Sequence, residues 1–516
     1  MVAIKNSPLI MGMAGAKGCC VAYFRPKKFS KLCLMFCLYL FAANTALASD
    51  HWFFDPRTEA RLSLTDNALL TESGRVSDAV LNLSPGLNVR YEGKRITAAA
   101  DYALDYFYFL SDNTTDTRQN LFGTLDAEVI EDHLTIVARA SLREQFLDQR
   151  GSISSNFANQ SDNRRLLQNY TGTAILKGGV RDFADWRITY RYGISRTPAD
   201  NLEDETLTVN FSDTNSQEIS AALGSGDRFN SFSWRIFANS SKVTRSLTVS
   251  DEVDVNDFWT ERAGAELKYK FNRFFQLIGE VGVSDNGFQS AELSEDGFTW
   301  QAGFRWTPGR KLDITATAGK DGRRETYSAQ VLYLLTSRLD FNGTYQDVLT
   351  ANTIVTNDSL QSFNFDEDNG ITNGQRLPID ETNPIFTFSD TDFRRRTTRG
   401  TLTLRQKRTQ FFLSGNYELR TFDDASGTAQ SWGVSSGFER RITTRSQISG
   451  DISFRRSRFE GETRIDNNIR ASLDWTVTLS RYFKAAIGFS HSERQSNEPG
   501  ADLEENSMTF YLRGTF

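Results

Sequence analysis

The chain has 516 residues, of which 39% are hydrophobic and 12% aromatic, and its formal net charge is −6 at pH 7. No stretch after residue 48 is apolar over the roughly 18 residues that a membrane-spanning helix needs, which excludes a helical membrane protein. Residues 1–48 hold six of the 59 basic side chains and none of the 65 acidic ones, so the remainder carries a formal charge of −12. This balance argues against a nucleic-acid-binding protein, which needs a basic face.

The amino-terminal segment is organised like an export signal. Basic residues at 25–31 precede an apolar run at 32–43, and the small residues at 46–48 suit a signal-peptide cleavage site. The apolar run is short for a transmembrane anchor. We therefore expect residues 1–48 to be a signal peptide that is cleaved after Ala48, with a start site that the sequence leaves open.

Cysteine and histidine are scarce outside this segment. All four cysteines precede the expected cleavage site: Cys19, Cys20, Cys33 and Cys37. The rest of the chain therefore offers no disulfide framework and no thiolate metal site. The three histidines are far apart in the sequence: His51, His133 and His491. We predict no metal site and no cofactor.

Alternation between apolar and polar residues is the dominant pattern after residue 48. In the stretch 262–271, R-A-G-A-E-L-K-Y-K-F, one set of alternate positions is apolar and the other is mostly charged. After Asn272-Arg273 the same pattern resumes at 275–283. A period of two places successive side chains on opposite faces of a strand, so these segments predict a β-hairpin with a short turn.

Ten such short turns alternate with longer polar connections. The turns include Gly93, Asp132, Asp182, Gly226, Asn272, Gly309, Ser337, Lys407, Thr443 and Ser480. The longer connections include 148–166, 198–212, 245–256, 287–295, 350–392 and 494–504. Short turns at one end and long loops at the other are typical of outer-membrane barrels, whose periplasmic turns are short.

These hairpins predict the fold class. Ten hairpins, an opening strand near 58–65 and a closing strand near 505–516 give about 22 strands, with an error of about two either way. A soluble β-sandwich would leave many apolar faces uncovered, whereas closure in lipid covers them and removes the strand edges. We predict an all-β fold for residues 49–516: a transmembrane antiparallel up-and-down β-barrel with short periplasmic turns and long extracellular loops. Its expected location is the cell outer membrane of a Gram-negative bacterium.

The closing strand ends in an alternating apolar stripe. Phe510, Leu512 and Phe516 belong to this stripe, and the residues between them are mostly polar or charged. The stripe resembles the carboxyl-terminal strand by which outer-membrane barrels are handed to the barrel assembly machinery, and Phe516 would be the terminal signal. Gly514 departs from the bulky residue often found two positions before the end.

Two groups of turn motifs extend the likeness to a family. The first comprises Thr65-Asp66-Asn67, Leu83-Ser84-Pro85-Gly86-Leu87 and Asp101-Tyr102; the second comprises Trp306-Thr307-Pro308-Gly309-Arg310-Lys311-Leu312, Gly319-Lys320-Asp321-Gly322, Ser337-Arg338 and Tyr345. Together they resemble outer-membrane barrel proteins associated with the exosortase and PEP-CTERM sorting system. The resemblance implies a role in building or exporting cell-surface material, and its motifs include no catalytic residues.

If the apolar positions face lipid, the charged residues between them face the lumen. The basic members are Arg187, Arg191, Lys268, Arg305, Arg405, Arg420, Arg455, Arg470, Lys484 and Arg513, and the acidic members are Asp101, Asp105, Glu266, Asp313, Glu418, Asp451 and Asp474. These charges form either a selectivity surface or mutual salt bridges that fill the interior. Because a 22-stranded barrel needs a plug, we expect either the loop 350–392 or a partner to fill the bore.

The leading functional hypothesis is a conduit or export component linked to exopolysaccharide and exosortase surface systems. The alternatives are a structural or adhesive barrel without permeation and a general anion-preferring porin. Ser490-His491-Ser492 invites comparison with outer-membrane lipases, but no third polar group can be named, and we predict no enzyme. The run 366–370, D-E-D-N-G, is either a divalent-cation site or, as we favour, a solvated acidic loop. Expected partners are outer-membrane lipid, lipopolysaccharide, the barrel assembly machinery and polysaccharide export components, and no nucleic acid.

Overall fold

The computed structural model describes residues 51–516 apart from a set of gaps. The gaps are 147, 149, 155, 157, 161–162, 198–211, 248–256, 289–292, 294–295, 323, 362–363, 367–369, 373–390 and 424–426. The predicted signal peptide lies outside the described residues, so its cleavage stays a prediction. Within the described part, no helix has both the length and the apolar character needed to cross a bilayer.

Twenty-two long strands form one antiparallel sheet that closes on itself. The strands in chain order are β1 (Trp52–Thr65), β2 (Asp78–Glu92), β3 (Ile96–Phe109), β4 (Thr115–Ile130), β5 (Leu134–Phe146), β6 (Arg164–Val180), β7 (Ala184–Arg196), β8 (Ser212–Ser225), β9 (Phe232–Leu247), β10 (Phe258–Lys270), β11 (Phe275–Asn286), β12 (Gly297–Gly309), β13 (Leu312–Asp321), β14 (Arg324–Leu334), β15 (Leu339–Thr350), the short β16 (Asn364–Asp366) and β17 (Gly370–Thr372), then β18 (Phe393–Arg405), β19 (Thr409–Phe422), β20 (Thr428–Arg441), β21 (Ser446–Arg458), β22 (Ile465–Thr478), β23 (Phe483–Ser496) and β24 (Leu503–Thr515). Each long strand pairs with the next, β15 pairs with β18, and β24 pairs with β1. The predicted up-and-down β-barrel of about 22 strands is confirmed.

The connection between β15 and β18 has structure of its own. It contains the helix α1 (Asn352–Gln361) and the pairing of β16 with β17, which form a separate two-stranded sheet. This is the longest connection in the chain and coincides with the predicted loop 350–392. Its residues 373–390 are among the gaps.

The ten predicted turns all fall between strands that pair with each other, at one end of the barrel. The opening strand, however, starts earlier than predicted. It begins at Trp52 rather than near residue 58, because the segment from Trp52 to Arg57 pairs with the end of β2. Pro56 interrupts the apolar alternation there, and proline is disfavoured in strand interiors, so the sequence pattern concealed this part of the strand.

Side-chain burial in the barrel is inverted relative to a soluble protein. Large apolar side chains are exposed on the outer face, such as Phe298 (62% exposed) and Val283 (58%), whereas the hydroxyl side chains of Ser216, Ser431 and Ser457 are fully buried. Alternation along each strand separates the two sets onto opposite faces. A continuous outer belt of apolar side chains is stable only against lipid, so the barrel spans a membrane.

Candidate functional site

Helix α1 lies inside the barrel, against the inward faces of the strands from β6 to β8. The hydroxyl groups of Thr353 on the helix and Thr214 on β8 are hydrogen-bonded at 3.0 Å. One turn further along, the Asn357 side-chain amide donates to the Ser216 hydroxyl at 2.7 Å. All four of these side chains are buried. The helix therefore docks on the wall through neutral polar contacts that exclude water.

The wall has a notch for this helix at Gly193 on β7. A Cβ atom at this position would lie in close contact with both Asn357 and Ser216, so a larger residue would force these two side chains, and the hydrogen bond between them, to shift. At Gly172 on the neighbouring strand β6, by contrast, an added Cβ atom would meet nothing within 4 Å. The glycine at 193 is thus required by the close approach of α1.

One charged contact supplements these neutral ones. Arg191 on β7 donates to Glu218 on β8 at 2.5 Å and to Asp358 on α1 at 2.8 Å. Because Glu218 belongs to the wall and Asp358 to the helix, the same guanidinium holds both. Charge-assisted hydrogen bonds of this kind are stronger than neutral ones.

The amino-terminal end of helix α1 contacts a different part of the barrel wall, around β18 and β19. Arg420 on β19 donates to the Asn352 side chain at 3.1 Å, and Val355 packs against an apolar cluster that contains Phe393. A second cluster joins the start of the helix to β9 and β10: Val243, Phe258 and Ala351, with Phe288 and Ile354 packed against it. These are apolar cores inside a membrane barrel, and both lie at the long-loop end.

An ion pair also links two separate parts of the barrel wall at this end. Arg245 on β9 forms an ion pair with Asp392, which leads directly into β18. Both side chains are largely buried, with exposed fractions of 4% and 13%. Since β9 and β18 are not neighbours in the sheet, this contact crosses the lumen and narrows it.

A second segment, 147–163, also folds over the lumen, and we call it the mouth insert. Its central contact is the buried carboxylate of Glu505 on β24. That carboxylate accepts hydrogen bonds from Ser154, from the Asn156 side chain (3.1 Å) and from the Thr65 hydroxyl (2.8 Å). The insert, which connects β5 to β6, is therefore bound to the seam where β24 meets β1.

Arginines fix the beginning of the mouth insert. Arg464 and Arg494 donate to the backbone carbonyls of Arg150 and Gly151, at 2.9 and 2.5 Å respectively. The Arg150 side chain forms an ion pair with Glu462 at 2.8 Å. Burial lowers the pKa of Arg150, but its hydrogen bonds and ion pairs with Asp148 and Glu462 outweigh this and raise the pKa above its ordinary value.

Most of the predicted lumen charges lie in ion pairs. The pairs are Arg191–Glu218 (2.5 Å), Lys268–Glu266 (2.9 Å), Arg305–Asp313 (2.6 Å), Arg405–Asp340, Arg420–Glu418 (2.8 Å) and Arg513–Glu59 (2.7 Å). By strand register, Arg187, Arg470 and Asp474 lie on the same inward face. Arg187 is exposed and makes no ion pair with any described residue. The lumen thus contains both mutual salt bridges and cationic side chains open to water.

Comparison with known proteins assigns no family to the chain. No protein-family model matches the chain, and no curated protein matches it. Among solved structures, a mutant of the ferric enterobactin receptor PfeA of Pseudomonas aeruginosa is 9% identical, with 90% of this chain and 80% of that chain covered and a TM-score of 0.49. The siderophore receptor PirA of Acinetobacter baumannii is 9% identical (89% and 80% covered, TM-score 0.47), and a loop-deletion mutant of OmpT of Vibrio cholerae is 8% identical (90% and 100% covered, TM-score 0.30).

The chain is an outer-membrane β-barrel. The closed antiparallel sheet of even strand number, the exposed apolar outer face and the polar lumen together fit this class. The short turns then lie on the periplasmic side and the long loops outside the cell. Helix α1 and the mouth insert therefore occupy the extracellular mouth.

At the periplasmic end, Phe516 packs against the last short turn. Its ring centroid lies 6.2 Å from that of Tyr482 and 5.7 Å from that of Phe483. A Cβ atom on Gly514 would lie 3.0 Å from the Phe516 ring, which explains why a bulky residue is absent there. The role of Phe516 and its apolar stripe as an assembly signal stays a prediction.

The geometry does not assemble the serine and histidine of the lipase comparison. The hydroxyl of Ser490 bonds to that of Ser507 at 2.6 Å, whereas His491 bonds to the Asn506 side chain at 2.8 Å. Consecutive strand residues point to opposite faces, so Ser490 faces the lumen and His491 faces outward. No group of three or more potential metal ligands occurs among the described residues, and the side chains of 366–370 lie outside them.

Two elements of this site were not predicted from the sequence. The pattern at 148–166 predicts only a long polar connection, and the expectation that loop 350–392 enters the bore does not include a helix at 352–361. The only available signal for the insert is its run of short polar side chains between 152 and 163, which suits hydrogen bonding to a wall.

Proposed function

We propose that this protein is a conduit of the outer membrane whose extracellular mouth is opened by movement of α1. The observation that carries the proposal is the docking of a separate helix in the lumen, in a notch that exists only because residue 193 is glycine. A barrel with a purely structural role has no need of a fitted, removable element in its bore. The position of α1 fits a gate.

The contacts of α1 favour release. Apart from the Arg191–Asp358 pair, the Arg420–Asn352 hydrogen bond and the apolar clusters at its start, the helix is held by neutral hydrogen bonds to wall hydroxyls such as Thr214 and Ser216. Water can replace each such bond, at a net cost of about 1 kcal/mol. The helix can therefore leave the wall without breaking the barrel.

The lumen favours an anionic cargo. Three inward-facing cations are exposed and form no ion pair with any described residue: Arg187, Arg399 and Lys484. Cationic walls raise the local concentration of anions and oppose cations. Together with the resemblance to exosortase-associated barrels, this supports a role in the export of acidic surface material, with an anion-preferring porin as the second candidate.

A disulfide lock tests the gate. The chain has no cysteine after Cys37, so a Thr214→Cys, Thr353→Cys pair would be the only pair in the exported protein, and the two side chains already meet at 3.0 Å. In planar bilayers the oxidised protein should conduct little, and reduction should increase conductance several-fold. The single-cysteine variants are the controls.

Ion selectivity is measured separately, from reversal potentials in a salt gradient. These should show anion preference, and the Arg187→Gln, Arg399→Gln double variant should show less of it.

A second variant pair checks the result without a disulfide. Gly193→Val should displace α1 and raise conductance, whereas Gly172→Val should leave conductance unchanged. Deletion of 355–388 should act in the same direction as Gly193→Val. A correctly inserted barrel that conducts nothing with or without these residues would exclude the conduit and favour the structural or adhesive barrel.

A further inference from the structure

The outer face carries two pairs of arginines near the extracellular end, on β18 and β21. Strand register relates them: Arg396 pairs with Leu419 on β19, Leu419 pairs with Gln430 on β20, and Gln430 pairs with Arg458 on β21. Arg396 and Arg458 thus lie in one row across the sheet, three strands apart. With a strand spacing of about 4.8 Å, their backbones are roughly 14 Å apart.

Neighbouring residues establish that this row faces outward. Arg395, the neighbour of Arg396, bonds to Glu418 inside the lumen. Side chains alternate along a strand, so Arg394 and Arg396 point to the opposite side. The next row toward the periplasm contains the exposed rings of Tyr417 and Trp432.

The height of the row follows from those rings. Exposed tyrosine and tryptophan residues form the aromatic girdle of a membrane barrel, at the level of the lipid headgroups. Arg396 and Arg458 lie two residues beyond this level, which is about 7 Å along the strand. Their guanidinium groups are therefore at the height of the charged headgroups of the outer leaflet.

Arg394 on β18 is held in place by a buried carboxylate on β15. Asp347 on β15 has a side chain that is only 1% exposed, and it forms a two-point ion pair with Arg394, with one contact at 2.7 Å. Asp347 also lies directly opposite Arg396 in the register. The Nε atom of Arg396 is buried and has no hydrogen-bond partner among the described residues. The Asp347 carboxylate thus pairs with Arg394, whereas the Arg396 guanidinium beside it forms no ion pair with any described residue.

The excess of positive charge is confined to one part of the circumference. We define the basic sector as Lys320, Arg394, Arg396, Arg456 and Arg458. Among the residues that the structure describes, the acidic side chains on the same outward face of these strands and their neighbours are Glu325 and Asp347. Outward positions at the same end on other strands are mainly acidic: Asp213, Glu261, Asp285, Glu493 and Glu504. Lipid of uniform charge would not favour such an asymmetry, whereas one specific anionic ligand would.

We propose that the basic sector binds a glycolipid of the outer leaflet that carries two phosphate groups. One phosphate would contact Arg394 and Arg396, and the other would contact Arg456 and Arg458. The sugars between them would lie over the row of Tyr417 and Trp432. Arginine is the preferred side chain for phosphate because its planar guanidinium donates two parallel hydrogen bonds. The proposal does not depend on whether the lumen conducts.

The test measures lipid binding to the purified, folded barrel in detergent. The probes are bis-phosphorylated lipid A and its monophosphorylated form, counted by native mass spectrometry and titrated by intrinsic fluorescence. The Arg396→Gln, Arg458→Gln double variant should bind the bis-phosphorylated lipid at least about tenfold more weakly, because each charge-assisted phosphate contact is lost. Arg196→Gln, an exposed outward arginine on β7 outside the basic sector, is the matched control and should bind like the unmodified protein.

Three further measurements distinguish a site for a bis-phosphorylated lipid from general binding of phosphate. Each single variant should lose the preference for two phosphates over one, and millimolar inorganic phosphate should not displace the lipid. Equal binding by the double variant, equal binding of the monophosphorylated lipid, or full displacement by free phosphate would each overturn the proposal. Heat-modifiable gel mobility, compared between the variants, verifies that all of them are folded.

Discussion

Strand β18 carries an inward-facing arginine near each of its ends, and the two differ greatly in their surroundings. At the extracellular end, Arg395 pairs with Glu418, and their side chains are 21% and 3% exposed. At the periplasmic end, Arg405 pairs with Asp340, and the corresponding values are 58% and 24%. The two arginines lie on the same strand and face, and each pairs with a carboxylate, so the difference comes from what covers each pair.

The cover at the extracellular end is the material that lies inside the barrel. Glu418 also bonds to Arg420, which in turn holds the start of α1 through Asn352. The helix and its apolar base keep water from this cluster, whereas the pair at the periplasmic end borders an aqueous space. A single lumen thus has a dry, core-like mouth and a wet lower part, and only the dry part is built like the interior of a globular protein.

The largest expected effect separates these two environments. Glu418→Gln should destabilise the barrel by about 3–5 kcal/mol, because it leaves the buried guanidinium groups of Arg395 and Arg420 without a counter-charge. Asp340→Asn should cost at most about 1 kcal/mol, because water screens the exposed Arg405. Urea unfolding of the detergent-folded protein, followed by tryptophan fluorescence, measures both changes. Equal losses would show that the mouth is as wet as the rest of the lumen.

The overall fold was readable from the sequence because it depends on local patterns. Alternation has a period of two wherever one face meets lipid, and each short turn interrupts it visibly, as at Asn272. These signals are repeated along the chain, so errors at single elements such as the start of β1 do not alter the strand count. The same rule gives the expectation that the charged residues between the apolar positions face the lumen.

The contents of the mouth were readable only in outline, because the sequence analysis expected the loop 350–392 or a partner to fill the bore but not a helix. Helix α1 has the sequence N-T-I-V-T-N-D-S-L-Q, which lacks an apolar stripe of helical period because most of its neighbours in the lumen are polar. Its hydrogen-bond partners on β8, Thr214 and Ser216, are 139 and 141 residues away in the sequence. Asp347 and Arg394 were likewise hidden, since an outward-facing ion pair breaks the expected lipid-facing pattern.

A smaller effect tests the assignment of faces on which the comparison depends. Arginine at Leu473 or Ile487, both exposed on the outer face, should destabilise the barrel by about 2–4 kcal/mol if they lie near the bilayer midplane. Arginine at Ser472 should be mild, because that side chain faces the lumen beside Asp451. The same unfolding assay in lipid vesicles compares the three variants. A similar loss at all three positions would contradict the register of β22 and β23.

The smallest effect concerns the exposed edge of the mouth insert, where the contacts resemble those of the wet region. Asp112, in the turn between β3 and β4, accepts hydrogen bonds from the Thr114 hydroxyl at 2.7 Å and from the Gln160 amide of the insert at 3.2 Å. These bonds lower the pKa of Asp112 below its ordinary value of 3.8.

A carboxylate whose pKa is lowered in the folded state stabilises the folded protein at pH values above its ordinary pKa. This contribution to the free energy of unfolding disappears as the pH falls through the lowered pKa. The unmodified protein should therefore unfold at slightly higher urea concentration than Asp112→Asn near neutral pH, and the difference should vanish as the pH falls below the lowered pKa of Asp112. Proteolytic cleavage within 147–163 should become easier over the same acidic interval. An unchanged difference at low pH would mean that the charge of Asp112 does not hold the insert, and that its fixed position comes entirely from the buried Glu505 and its partners.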